Sequence, residues 1–130
     1  MAIFGVGTDI VKLERIERSF LRYGAKFAQR ILAESELEVY SNKTTSASKV
    51  AFLAKRFAAK EAISKALGTG MREGIGFQQL IVETNEIGKP YVILKGHAKE
   101  WAKQHNVSCI HLSLSDEMDS ALAFAIAEID

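Results

Sequence analysis

Two apolar periods alternate along this chain, and the clearest period of two lies at its end. Val107 to Ser115 sets Ile110, Leu112 and Leu114 against Cys109, His111, Ser113 and Ser115. After a polar turn at Asp116 to Ser120, Ala121, Ala123, Ala125 and Ala127 alternate with Leu122, Phe124 and Ile126. A strand with an all-alanine face admits a very close neighbour. Ala2 to Val11 alternates more weakly; Gly5 and Gly7 predict a first strand that another backbone approaches closely, with Asp9 near its end. Phe77 to Thr84 and Tyr91 to Lys95 read as two further strands joined by a turn at Asn85 to Pro90, where Gly88 suits a positive φ.

Helical periods fill the remainder. Lys12 to Tyr23 carries Leu13, Ile16, Phe20 and Leu21 on one side and Lys12, Arg15, Arg18 and Arg22 on the other, with Gly24 as its stop. Phe27, Ile31 and Leu32 suggest a short helical turn, and Ser35 is the expected cap of a helix opening on Glu36-Leu37-Glu38. Asn42 to Ser48 reads as a polar, flexible loop. Gly96 to Gln104 predicts a helix with Ala98, Trp101 and Ala102 inward.

The longest helix runs from Ser48, with Ser46 or Ser48 as its cap, to a stop at Gly68-Thr69-Gly70. At about 100° per residue, Phe57, Val50, Ala54, Ala58 and Ala51 fill one sector and Ala59, Phe52, Ile63 and Leu67 another. A helix apolar nearly all round is buried on more than one side, and the alanine-faced strand is its natural neighbour. These elements predict an α+β fold in one domain, residues 1–130: a mostly antiparallel sheet packed against a long central helix.

Composition narrows the class. With one Pro and one Cys there is no disulfide framework and no zinc cluster, and Cys109 is expected to be a small buried residue. No segment has the length of a membrane span and the N-terminus lacks a secretory pattern, so the expected location is cytoplasmic. Net charge is +1, yet residues 1–72 carry +6 and residues 73–130 carry −5. The basic half points to an anionic partner. Without interleaved aromatics or a reading helix, nucleic acid is the weaker candidate for that partner.

Glu61 falls inside the first apolar sector, where an ionised carboxylate needs a cation, a metal or strong donors. Lys65, four residues on, offers either an ordinary helix salt bridge or a second group of a site. Asp9 would supply another carboxylate. Two carboxylates repel, and magnesium, which takes one or two with water and phosphate oxygens completing its octahedron, relieves that repulsion. Gly68 and Gly70 would expose backbone N–H groups to an anion. His111 is either a hydrogen-bonded surface histidine or a general base. The Arg15, Arg18, Arg22 row is either a solvated face or a docking surface for an acidic partner.

Two motifs carry a resemblance. Gly5-Val6-Gly7-Thr8-Asp9-Ile10-Val11 is similar to the N-terminal GxGxDIV signature of the 4′-phosphopantetheinyl transferases, and Phe57-Ala58-Ala59-Lys60-Glu61-Ala62-Ile63-Ser64-Lys65 matches their FxxKExxxK signature in full. The flanking RFAAKEA and KALGTG, Gly88-Lys89-Pro90 and the run His111 to Ser115 resemble the short, holo-acyl-carrier-protein synthase branch. The resemblance spans about residue 3 to residue 127.

It implies a 4′-phosphopantetheinyl transferase-like fold and a magnesium-dependent reaction. The 4′-phosphopantetheine group of coenzyme A moves to a serine of apo-acyl carrier protein, giving the holo form for fatty acid biosynthesis and releasing adenosine 3′,5′-bisphosphate. By resemblance Asp9 and Glu61 hold the metal, Lys65 meets the pyrophosphate and Arg56 the 3′-phosphate region. Gly68, Thr69 and Gly70 belong with the coenzyme A contacts, and Glu61, Lys65 and His111 with catalysis. The serine must lose a proton, either to His111 or to a metal-activated water, and the residues leave both open. The short branch assembles as a homotrimer with sites between subunits, and acidic acyl carrier protein gives the arginine row a partner. At Asp116 many relatives have His, so no catalytic role is expected there. The competing class is a non-catalytic module whose basic first helix binds an acidic protein.

Overall fold

The computed structural model describes all residues, Met1–Asp130. In order, β1 (Ala2–Lys12) leads into α1 (Leu13–Tyr23), α2 (Ala25–Ile31), α3 (Glu34–Ser41) and the long α4 (Ser46–Leu67). A 3₁₀ turn (Phe77–Gln79) precedes β2 (Leu80–Thr84) and β3 (Pro90–Leu94), and α5 (Gly96–Gln104), β4 (Val107–Asp116) and β5 (Ser120–Ile129) complete the chain.

The strands are all antiparallel, in the order β1-β5-β4, with β2-β3 as a separate hairpin. The expectation of one sheet is corrected here. β3 packs beside β4 without a ladder, and an apolar groove lined by Val92, Leu94, Val107 and Ile110 lies between them.

α4 lies across β1 and β5, and small residues set how closely. On β5 the inward residues Ala121, Ala123, Ala125 and Ala127 are all buried, as are Ala54, Ala58, Ala59, Ala62 and Ala66 of α4. On β1 even an alanine would be too large. A Cβ at Gly5 would stand 2.2 Å from the Ala66 carbonyl oxygen, and one at Gly7 2.0 Å from that of Ala62. Both glycines pair with inward alanines, Gly5 with Ala127 and Gly7 with Ala125, so β1 presses its backbone onto the helix. Asp9 follows in the same alternation, opposite Ala123, and its side chain leaves the sheet on the α4 side.

Several local expectations are revised. α4 starts at Ser46, and its cap is Thr45, whose Oγ1 accepts from the Ser48 N–H at 3.1 Å. The flexible loop foreseen over Asn42 to Ser48 therefore shortens to residues 42–45. α3 is opened by Glu36, whose Oε1 accepts from the Ala33 N–H at 2.9 Å, while Ser35 lies inside the helix and donates to Glu83. Phe77–Gln79 curls into the 3₁₀ turn before the strand begins. Cys109 is exposed, because its outward phase in β4 outweighs the usual preference of cysteine for burial. Leu21 is exposed too, leaving Ile16 as the fully buried residue of α1. Trp101 is half-buried and donates from Nε1 to the Leu67 carbonyl at 3.1 Å, tying α5 to the end of α4.

Candidate active site

Asp9 from β1 and Lys65 from α4 meet directly, with Lys65 Nζ 3.2 Å from Asp9 Oδ1 and donating also to the Thr8 carbonyl at 2.9 Å. Lys65 thus bonds to β1 rather than forming the i,i+4 salt bridge with Glu61. Glu61 is half-buried on the same side of α4 and has no ion-pair or hydrogen-bond partner for its carboxylate within the chain. Burial pushes its carboxyl above the ordinary range, the charge of Asp9 pushes it further, and Lys65 and Arg15 partly offset both. Two carboxylates from different elements therefore converge with one bonded cation, and one of the two stays unsatisfied.

That donor set fits a hard divalent cation. No group of three or more His, Cys, Asp or Glu side chains that could hold a metal ion occurs within the chain. Two carboxylates suit magnesium, whose remaining positions go to water and phosphate oxygens.

Gly68, Thr69 and Gly70 lie where the signature puts them, but their N–H groups do not face an anion. Gly68 N–H donates to the Lys65 carbonyl at 3.0 Å, and those of Thr69 and Gly70 donate to the Ser64 carbonyl at 3.2 and 3.1 Å. The expectation of exposed donors is overturned because these groups close the end of α4, with Gly68 in the left-handed region at φ 85°. The side of Gly68 and Gly70 where a Cβ would stand is open, so a ligand can still come close to the backbone there.

Arg56 is 6 % exposed and lies with Lys60 and Glu36, both at 0 %. Lys60 Nζ donates to the Ile31 carbonyl at 2.8 Å, to Glu36 Oε1 at 2.5 Å and to the Phe77 carbonyl at 3.1 Å. Glu36 accepts as well from the N–H groups of Ala33 and Val82. Arg56 stacks on the Phe52 ring at 4.5 Å. Its Nε lies 3.2 Å from Glu36 Oε2, an ion pair off hydrogen-bond geometry. Burial pushes both cations below their ordinary values and Glu36 resists the shift. The sequence reading missed Glu36 and Lys60. A signal existed: on the helical wheel Lys60 falls with Leu53, Ile63 and Leu67, a face no lone lysine occupies unpaired.

His111 does not join Asp9 and Glu61 within one chain. It pairs with Ile126 on β5, and its neighbours in the alternation, Ser113 and Ser115, pair with Phe124 and Leu122. All point away from α4. His111 Nε2 lies 3.3 Å from Glu128 Oε1. The arginine row divides: Arg15 lies over the Phe57 ring at 5.4 Å, Arg18 pairs with Glu14 at 3.5 Å, and Arg22 lies over Tyr23 at 5.3 Å. Asp116 faces Lys55 at 3.8 Å.

A carboxylate pair fit for a divalent cation, next to a lysine, is suited to a substrate bearing phosphates. The model of the 4′-phosphopantetheinyl transferase superfamily matches residues 5–125. A holo-[acyl-carrier-protein] synthase of Vibrio cholerae serotype O1 is 50% identical over 126 residues, covering 97% of this chain and 98% of its own. The crystal structure of holo-[acyl-carrier-protein] synthase from Neisseria meningitidis superposes with a TM-score of 0.90 at 42% identity, over 97% of this chain and 98% of that one. A Bacillus anthracis holo-(acyl-carrier-protein) synthase, solved in complex with CoA (3′,5′-ADP), matches over all of both chains at 35% identity and a TM-score of 0.83. By this likeness over nearly its whole length, this chain is an enzyme of the 4′-phosphopantetheinyl transferase superfamily and belongs to its holo-[acyl-carrier-protein] synthase branch.

Proposed function

We propose that this enzyme transfers the 4′-phosphopantetheine group of coenzyme A to a serine of apo-acyl carrier protein, with magnesium held by Asp9 and Glu61, in service of fatty acid biosynthesis in the cytoplasm. The observation that carries the reading is the unsatisfied Glu61 carboxylate facing Asp9. When bound, the metal supplies charge neutralisation on the pyrophosphate oxygens. Lys65, aligned by Asp9 and the Thr8 carbonyl, adds a fixed positive charge for the same phosphates and for the departing adenosine 3′,5′-bisphosphate. Gly68 and Gly70 leave room for the coenzyme beside them, with Thr69 between.

In this reading Arg56 addresses the 3′-phosphate. Its Nε is buried beside Glu36, and its two terminal nitrogens have no hydrogen-bond partner within the chain, which leaves them for an anion. Arg15, Arg18 and Arg22 form the basic face of α1 for the acidic carrier protein. No helix of the chain is long and apolar enough to cross a membrane.

A homotrimer accounts for the outer face of the sheet. Val6 and Ile10 are 55% and 65% exposed there, alongside exposed Leu122 and Phe124, an apolar surface that a second copy would cover. His111 stands on that face, so it reaches a carboxylate pair only across a subunit contact, where Nδ1 would accept the serine proton while Nε2 donates to Glu128.

Mass spectrometry of apo-acyl carrier protein incubated with coenzyme A and magnesium tests the proposal. A phosphopantetheine mass increment that EDTA abolishes is expected. Absence of the increment with several carrier proteins would contradict it.

A further inference from the structure

Phe57 opens the second signature, yet none of the chemistry above uses it. Its ring is half-buried and stacks on Phe77, with centroids 5.5 Å apart and planes 28° from parallel. The Arg15 guanidinium lies over Phe57, its Cζ 5.4 Å from the ring centroid. Phe77 is itself fixed, because its carbonyl accepts from Lys60, which is anchored in addition by Glu36 and Ile31. A continuous series of contacts thus runs from the most deeply buried cation of the chain to a surface arginine.

Arg15 differs from its two neighbours on α1. Arg18 is taken by Glu14 and Arg22 lies over the adjacent Tyr23. Arg15 has no carboxylate within ion-pair distance and rests on a ring from another helix, so the edges of its guanidinium stay free. Its charge also acts on Glu61, which places it close to the site. An arginine held flat on an aromatic face keeps its planar fork available and loses less rotamer freedom on docking than a loose one.

We propose that Phe57 is a positioning residue: with Phe77 and Lys60 behind it, its ring seats Arg15 in the orientation that receives an acidic group of the carrier protein. This rests on the reading that Arg15 meets the carrier protein. The seat acts before docking, so its effect belongs to carrier-protein affinity and not to coenzyme A or to the chemical step.

A double-mutant cycle in steady-state kinetics tests it, with KM for carrier protein, KM for coenzyme A and kcat measured for Arg15→Ala, Phe57→Leu and the double variant. Phe57→Leu is expected to raise KM for carrier protein roughly two- to fivefold, the size of a cation–π contact. KM for coenzyme A stays unchanged, the double variant matches Arg15→Ala alone, and Phe57→Tyr, which keeps a ring, behaves as the parent. Phe77→Leu enters the same cycle in case Phe57→Leu does not fold. If Arg15→Ala raises KM for carrier protein and the two effects multiply in the double variant, the seat is overturned and the docking role stands. A Phe57→Leu enzyme with lower kcat and both KM values unchanged overturns the seat as well. If Arg15→Ala leaves KM for carrier protein untouched, both readings fall.

Discussion

Lys60 and Glu61 are adjacent in sequence and belong to opposite kinds of charge cluster. On one side of α4, Lys60 has an acceptor for each of its three ammonium protons, and both oxygens of Glu36 accept hydrogen bonds, Oε1 from Lys60 and the Ala33 N–H and Oε2 from the Val82 N–H. On the other, Glu61 faces Asp9 with no donor of its own, and its carboxyl is pushed upward in consequence. The residue types are nearly the same. The difference lies in completeness: a buried ion pair is tolerated when hydrogen bonds satisfy both partners, whereas two convergent carboxylates left open call for something from outside. The first cluster joins the end of α2, α3, the 3₁₀ turn and β2 to the helix, and the second is where we propose that the reaction takes place.

The sharpest way to break the comparison is Glu61→Gln. If the open cluster is the site, turnover should fall roughly a thousandfold, about 4 kcal/mol of transition-state stabilisation, while circular dichroism shows an intact fold. Next comes Lys60→Met, which strands Glu36 beside an off-geometry arginine; urea denaturation should show a loss of roughly 3 kcal/mol. Equal stability to the parent would show that the closed cluster is not the structural one. Gly7→Ala should follow at roughly 2 kcal/mol or more, because its Cβ would meet the Ala62 carbonyl oxygen at 2.0 Å. It should also lower activity by moving Asp9 away from Glu61.

The smallest effect is a pH dependence. Glu61 has a raised carboxyl in the folded state, so in the window between its unfolded and folded values the native chain binds more proton than the unfolded one. Its contribution therefore favours folding at low pH and is lost as pH rises through the folded value. Without added divalent ions, Glu61→Gln should raise the melting temperature slightly at neutral pH and flatten its fall with rising pH. A lower melting temperature than the parent would contradict the direction of that shift.

Much of this was legible in residue order, for local reasons. The alternation in β4 and β5 follows from side chains of period two, and Gly5 and Gly7 announced the close approach that Ala62 and Ala66 confirm. Asp9, Glu61 and Lys65 came from two signatures whose spacing survives without a fold. What stayed hidden needs tertiary closure. Glu36 and Lys60 are 24 residues apart and meet because α3 folds onto α4. The N–H groups of Thr69 and Gly70 turned inward because the last turn of α4 needed them. The phase of His111 could be read, but not its register: Asp9 pairs with Ala123 and His111 with Ile126, so their side chains leave opposite faces of the sheet.

The central claim is that the open carboxylate pair, and not the closed cluster one residue away, holds a divalent ion. Manganese binding followed by electron paramagnetic resonance in the presence of coenzyme A tests it most directly, on the parent, Asp9→Asn, Glu61→Gln and Glu36→Gln. The account predicts one site per chain, lost in the first two variants and retained in the third. Binding that survives both Asp9→Asn and Glu61→Gln would contradict it.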